Sequence, residues 1–60
     1  MTRAEQLAII LRNAETYLDC TDECQELCEM AGLETEWAES DGETFEVVLY
    51  EAAKRLEVEI

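Results

Sequence analysis

The sequence contains no histidine and no proline, only two glycines, and four cationic side chains against sixteen acidic ones. Without histidine, every catalytic triad that depends on an imidazole base is excluded. No glycine-rich phosphate loop occurs. No apolar run approaches the roughly 18 residues that a membrane span requires, and the first residues lack the apolar stretch of a secretory signal. We therefore expect a cytoplasmic protein without a membrane partner.

Positive charge is scarce, and it is confined to the two ends of the chain. The four cations are Arg3, Arg12, Lys54 and Arg55. All acids except Glu5, Glu57 and Glu59 lie within residues 13–53, where no lysine or arginine occurs. Four scattered cations cannot neutralise a nucleic-acid backbone, so direct binding to nucleic acid is excluded. In size and charge the chain resembles small acidic proteins of bacterial phages and mobile elements, a resemblance of composition that transfers no site residue.

The first segment has the pattern of an amphipathic helix. Thr2 and Glu5 have the spacing of a capping box, in which each side chain satisfies a backbone N–H of the first turn. Apolar residues then recur every three or four positions from Ala4 to Leu18, which places them on one face of a helix. The spacing predicts a helix over 3–18.

A second apolar stripe follows, formed by Cys24, Leu27, Cys28 and Ala31. If the first helix continued unbroken at about 100° per residue, the centre of this stripe would lie about 110° away from the first stripe. A turn near 19–21 would bring both stripes to a common core. Gly32 is a suitable helix stop because glycine adopts the left-handed conformation readily. These signals predict a second helix over 22–31.

The segment after residue 40 fits two structures. Apolar residues keep helical spacing over about four turns, and Ser40 and Glu43 have capping-box spacing. The alternative is a hairpin, because Asp41-Gly42 is a strong signal for a two-residue turn. We favour a helix over 43–56.

Two short segments, 33–37 and 56–60, alternate between apolar and polar residues as strands do. They could pair as a two-stranded ribbon, which would need helices to pack on. The predicted fold is therefore mostly α: one small domain over 1–60 with three helices around one core and, as an option, this ribbon.

Cys20, Cys24 and Cys28 recur at intervals of four, which places them on one helix face. Three thiolates could bind a soft metal such as zinc, but a fourth ligand would be needed and histidine is absent. The surrounding negative charge also opposes thiolate formation. We therefore expect no cofactor and interpret the cysteines as small apolar side chains of the core. A cysteine-based metal-binding or redox protein is the alternative function.

The acidic residues around the only tryptophan form the candidate interaction site. The residues are Glu34, Glu36, Trp37, Glu39, Asp41 and Glu43. Tryptophan often anchors interfaces, and single-sign charge steers encounters with partners of opposite charge. We expect a non-catalytic module that docks on a basic protein surface, one form of which is a nucleic-acid mimic. Self-association is a further alternative, because so small a core gains stability from a dimer.

The excess of acids predicts that salt and mild acid stabilise the fold. The net charge of −12 exceeds the magnitude of about 2 to 8 that serves solubility in a small domain. Crowded carboxylates favour their neutral forms, so the folded state takes up protons more readily than the unfolded one. We expect the melting temperature of a dilute sample to rise from pH 7 to about pH 5. It should also rise with sodium chloride at pH 7, which screens repulsion beyond about 10 Å at 0.1 M. A decrease with salt would mean that ion pairs of Arg12 or Arg55 hold the acids.

Overall fold

A computed structural model describes all residues, 1–60, as four α-helices joined by short connections. The helices are α1 (Arg3–Asn13), α2 (Thr21–Met30), α3 (Glu34–Glu39) and α4 (Phe45–Arg55), and a single 3-10 turn (Tyr17–Cys20) precedes α2. None of these helices combines the length and the apolar character that crossing a bilayer requires. The prediction of a mostly helical small domain is confirmed.

The first helix begins as predicted but ends earlier. The backbone N–H of Glu5 donates to Thr2 Oγ1 at 3.1 Å, which caps the first turn. The prediction of a helix over 3–18 is wrong beyond Asn13, because the backbone becomes extended at Ala14. A new turn then starts at Thr16, whose hydroxyl accepts a hydrogen bond from the N–H of Leu18. When a threonine hydroxyl accepts a hydrogen bond from a backbone N–H two residues later, that N–H is no longer available to continue the preceding helix.

The second helix lies within one residue of the predicted bounds and stops at Gly32. That glycine has φ 76°, in the left-handed region. Its N–H donates to the carbonyl of Glu29, and the N–H of Leu33 donates to the carbonyl of Cys28 at 2.8 Å. This pair of bonds is the Schellman motif, which satisfies the last carbonyls of a helix. The motif turns the chain back, and Leu33 packs into the core.

The prediction of a ribbon between 33–37 and 56–60 is wrong, since the structure contains no strand. Residues 34–39 form α3, and the N–H of Trp37 donates to the carbonyl of Leu33 at 2.9 Å. Leu33 and Trp37 are four residues apart, a spacing that shares a face in a helix just as it does in a strand. The alternation was therefore compatible with both structures. The C-terminal tail instead lies along the core through Val58 and Ile60.

The last helix forms as predicted, and the hairpin alternative is wrong. Ser40 does not cap it: the N-cap residue is Thr44, whose side chain makes no capping bond, and Asp41 stabilises the turn that leads into the helix. The Asp41 carboxylate accepts hydrogen bonds from the N–H of Glu43 at 2.9 Å and of Thr44 at 3.0 Å. Its own carbonyl accepts from the N–H of Phe45. The Asp-Gly pair therefore belongs to a turn that leads into a helix, because the aspartate satisfies the N–H groups of Glu43 and Thr44 just before the helix starts.

Helix α2 lies at the centre of the core and packs against α1, α3 and α4. The largest fully buried side chains are Leu7, Leu11, Leu27, Leu49, Cys24 and Cys28. No polar or charged residue is buried. The core therefore depends on apolar burial alone, and α2 supplies half of these six side chains.

Helix α4 ends in the same hydrogen-bond motif as α2, but a glutamate occupies the glycine position. Glu57 has φ 58° and is the only non-glycine residue in the left-handed region. Its N–H donates to the carbonyl of Lys54, and the N–H of Val58 donates to the carbonyl of Ala53 at 3.0 Å. An L-residue with a Cβ pays about 1 to 2 kcal/mol for this conformation. The motif turns the chain so that Val58 packs against the core.

Replacing Glu57 with glycine should stabilise the fold. Glycine removes the Cβ strain, although it also widens the unfolded ensemble and so offsets part of the gain. We expect Glu57→Gly to raise the melting temperature by several degrees, which corresponds to about 1 kcal/mol in a domain of this size. Glu57→Gln is the matched control, because it removes the charge but keeps the Cβ. Equal melting temperatures for the two variants would contradict the assignment of strain.

Candidate interaction surface

The shortest ion pair of the fold joins α1 to α2. Arg3 donates to both carboxylate oxygens of Glu26, from Nε at 2.6 Å and from Nη2 at 2.9 Å. This hydrogen-bonded contact raises the pKa of Arg3 and lowers the pKa of Glu26. Such a two-pronged contact fixes geometry as well as charge. Arg3 is therefore committed to holding two helices together.

Two further arginines also bind groups of this chain. Arg12 Nη1 donates to the backbone carbonyl of Glu59 at 2.8 Å, which holds the C-terminal tail against α1. Arg55 lies 4.0 Å from the carboxylate of Glu51 and donates to the carbonyl of Ala31 at 3.4 Å. Three of the four cations thus serve internal contacts.

The predicted site residues lie along α3 and the loop that follows it. Glu34, Glu36 and Glu39 are exposed on α3, and Asp41 and Glu43 are exposed in the loop before α4. We call residues 34–43 the acidic segment. Neither ion pair of the fold includes any of its five carboxylates. The segment therefore presents negative charge that no cation of the chain neutralises through an ion pair.

Two carboxylates do not follow the expectation that crowding raises carboxyl pKa values. The pKa of Asp41 is lowered, first by the backbone N–H of Glu43 and then by Thr44, and that of Glu26 is lowered by Arg3. Short hydrogen bonds to the charged form outweigh diffuse repulsion at these positions. A lowered folded pKa contributes stability that is present above the unfolded pKa near 4 and is lost as pH falls through the folded value. These two groups therefore oppose any stabilisation below about pH 4.

Trp37 is half-buried, because its ring packs against the core while one side faces solvent. The ring meets Phe45 edge to face, with centroids 6.1 Å apart and an interplanar angle of 83°. Trp37 therefore packs α3 against α4 and still presents part of its ring at the surface.

A groove of about 250 Å³ opens beside this aromatic pair. It is lined by Leu18, Thr21, Trp37, Ser40, Asp41, Gly42 and Phe45. We call it the Trp37 groove. Leu18 is 66% exposed, and sequence reasoning missed it because the apolar spacing assigned it to the buried face of a helix over 3–18. The local signal was Thr16, whose hydroxyl starts a new turn.

The three cysteines are buried along one side of α2, from Cys20 just before the helix to Cys28 near its end. Cys24 and Cys28 have no exposed surface, and Cys20, which the sequence places at a bend, is only 8% exposed. The thiols of Cys20 and Cys24 both donate to the backbone carbonyl of Tyr17, at 3.6 and 3.8 Å. Burial raises the pKa of Cys20, and it raises those of Cys24 to about 12 and Cys28 to about 11. No three histidine, cysteine or acidic side chains are grouped as metal ligands.

No protein-family model, curated protein or solved structure matches this chain. A functional assignment therefore rests on the chemistry of its own residues. Two features distinguish the surface: the unneutralised acidic segment and the apolar groove beside Trp37.

Burial predicts that the thiols are unreactive in the folded protein. Only the thiolate attacks a disulfide reagent. Cys24 and Cys28 are both buried, and because burial raises the pKa of each thiol, little thiolate forms at neutral pH. At about pH 8 we expect slow reaction of the native protein, with Cys20 first, and rapid reaction of all three thiols in denaturant. A Cys20→Ala variant should lose the earliest phase. Zinc bound in stoichiometric amount, with loss of the fold on chelation, would contradict this interpretation and favour the metal-binding alternative.

Proposed function

We propose that the protein is a small, non-catalytic interaction module that docks on a basic surface of another protein in the cytoplasm. The observation that carries the proposal is the acidic segment, which gathers five exposed carboxylates outside both ion pairs. Three arginines that could neutralise it bind other groups of the chain. Charge of one sign on one surface raises the rate of encounter with a partner of opposite charge.

A nucleic-acid mimic is the more specific form of this proposal. Its carboxylates would occupy the positions of phosphates on a protein that binds DNA or RNA. The net charge of −12 on a rigid helical frame supports it, because phosphate contacts supply much of the affinity of such proteins. Competition with a nucleic acid for a shared basic partner is the property that distinguishes mimicry from simple docking.

The two alternatives have different support. Raised thiol pKa values weigh against a cysteine-based metal or redox function, because metals and disulfide exchange both require the thiolate. Exposed apolar side chains such as Val47 and Tyr50 support self-association, but two copies of so acidic a chain repel each other. Docking on a basic partner requires neither a thiolate nor the approach of two surfaces of the same charge.

Neutralising the acidic segment should weaken binding to a basic probe more than neutralising other acids. The test variant carries Glu34→Gln, Glu36→Gln and Glu39→Gln. Its matched control carries Glu5→Gln, Glu57→Gln and Glu59→Gln, so that both lose the same charge. Exposed ionic contacts contribute about 0.2 to 1 kcal/mol each. We therefore expect the test variant to bind a lysine-rich peptide about fivefold more weakly than the control, as measured by calorimetry at low salt.

Two further results complete this test. Binding of the unaltered protein should disappear at about 1 M sodium chloride, where the screening length falls to about 3 Å. Circular dichroism of each variant checks that the helices remain. Equal weakening in the test and control variants would show that the acidic segment is not a distinct surface, and the proposal would be wrong.

A further inference from the structure

We propose that the Trp37 groove receives an apolar side chain of the basic partner. The partner's docking element is then a cationic segment that carries at least one exposed apolar residue, rather than a uniformly charged surface. This inference rests on the proposed function and deepens it, because charge would steer the partner and the groove would hold it.

The groove has the composition of an anchor site. Trp37 and Phe45 form its aromatic wall, and Leu18 lies at its edge with 66% of its surface exposed. Covering an exposed leucine and the accessible part of a half-buried tryptophan with a partner gains free energy. Apolar and aromatic pockets of this kind account for most of the energy in many interfaces.

One acidic residue lines the groove, and further acids are close in sequence to its lining residues. Asp41 lines it, and the acids one or two positions from other lining residues are Asp19, Asp22, Glu23, Glu36, Glu39, Glu43 and Glu46. No lysine or arginine lines it. A lysine or arginine beside the partner's apolar residue would therefore meet carboxylates around the groove. This charge complementarity identifies a cationic segment as the occupant.

The same charges argue against the other occupants. A second copy of this chain would bring its own net charge of −12 to a surface of the same sign, which opposes a dimer at this position. A larger depression of about 500 Å³ adjoins the groove and shares Leu18, Gly42 and Phe45, and its charged lining residues are Arg12, Glu15 and Glu46. Acids outnumber the single cation on this side as well, so charge does not oppose a cationic segment that extends from the groove into this depression.

Trp37 provides a direct probe, because it is the only tryptophan of the chain. Two short lysine-rich peptides are compared at low salt, identical except that one carries a leucine where the other carries a serine. Covering the tryptophan ring moves its fluorescence emission to shorter wavelength. We expect the leucine peptide to cause this shift and to bind about tenfold more tightly, a difference that corresponds to about 1.4 kcal/mol.

Leu18→Ser should remove the preference for leucine. The matched control is Val47→Ser, since Val47 is 69% exposed and lies outside the groove. Both replaced side chains are exposed, so circular dichroism should show intact helices in both variants. We expect the Leu18 variant to bind the two peptides with equal affinity and the Val47 variant to keep the tenfold difference.

The outcomes separate this inference from the proposed function. If both peptides bind the unaltered protein equally, in a salt-dependent manner and without an emission shift, the basic partner stands and the groove is not its anchor site. If Val47→Ser removes the preference and Leu18→Ser does not, the apolar contact lies elsewhere and the inference is wrong. If a neutral peptide with the same leucine binds as tightly as the cationic one, or if neither cationic peptide binds, the basic partner itself is wrong.

Discussion

The constraint on which the structure depends is that every apolar stripe must face one small core while α2 occupies its centre. An unbroken first helix would turn the stripe of Cys24, Leu27 and Cys28 away from that of α1. The extended backbone at Ala14 and the capping hydroxyl of Thr16 reset the direction of the chain before α2 begins. Without this break, the side chains that fill the centre of the core would face solvent.

The distribution of charge follows from the same small core. With no buried polar group, stability comes from apolar packing, and repulsion among sixteen acids opposes it. The few arginines are placed where they hold elements together: Arg3 between α1 and α2, and Arg12 on the C-terminal tail. Each cation used in this way is withheld from the acidic segment. With four cations for sixteen acids, the internal use of three arginines leaves the acidic segment without an ion pair.

The sequence was sufficient to predict elements that carry both a spacing signal and a capping signal. The second helix has both, since Gly32 stops it as predicted, and the bounds of the last helix came within two residues from its apolar spacing although the predicted cap, Ser40, was wrong. The early end of α1 depended on the Thr16 hydroxyl, which apolar spacing does not register. The prediction of a strand over 33–37 was wrong for another reason. Leu33 and Trp37 lie on the same face whether the segment is a helix or a strand, so their spacing does not distinguish the two. The acidic segment was visible in the sequence, but the Trp37 groove was not, since it joins Leu18 to residues about twenty positions away.

The exposure of Leu18 links the fold to the proposed interaction. The break that directs α2 into the core also removes Leu18 from the face of α1, where its spacing would have buried it. The 3-10 turn then carries Leu18 to the start of α2, and α3 brings Trp37 to the same place because the Schellman motif at Gly32 turns the chain back. Leu18 contributes little to the core in this position, since it is mostly exposed. A partner that covered Leu18 would remove this apolar surface from water, so under the proposed function the groove, and not the charge alone, should determine how long the partner stays bound.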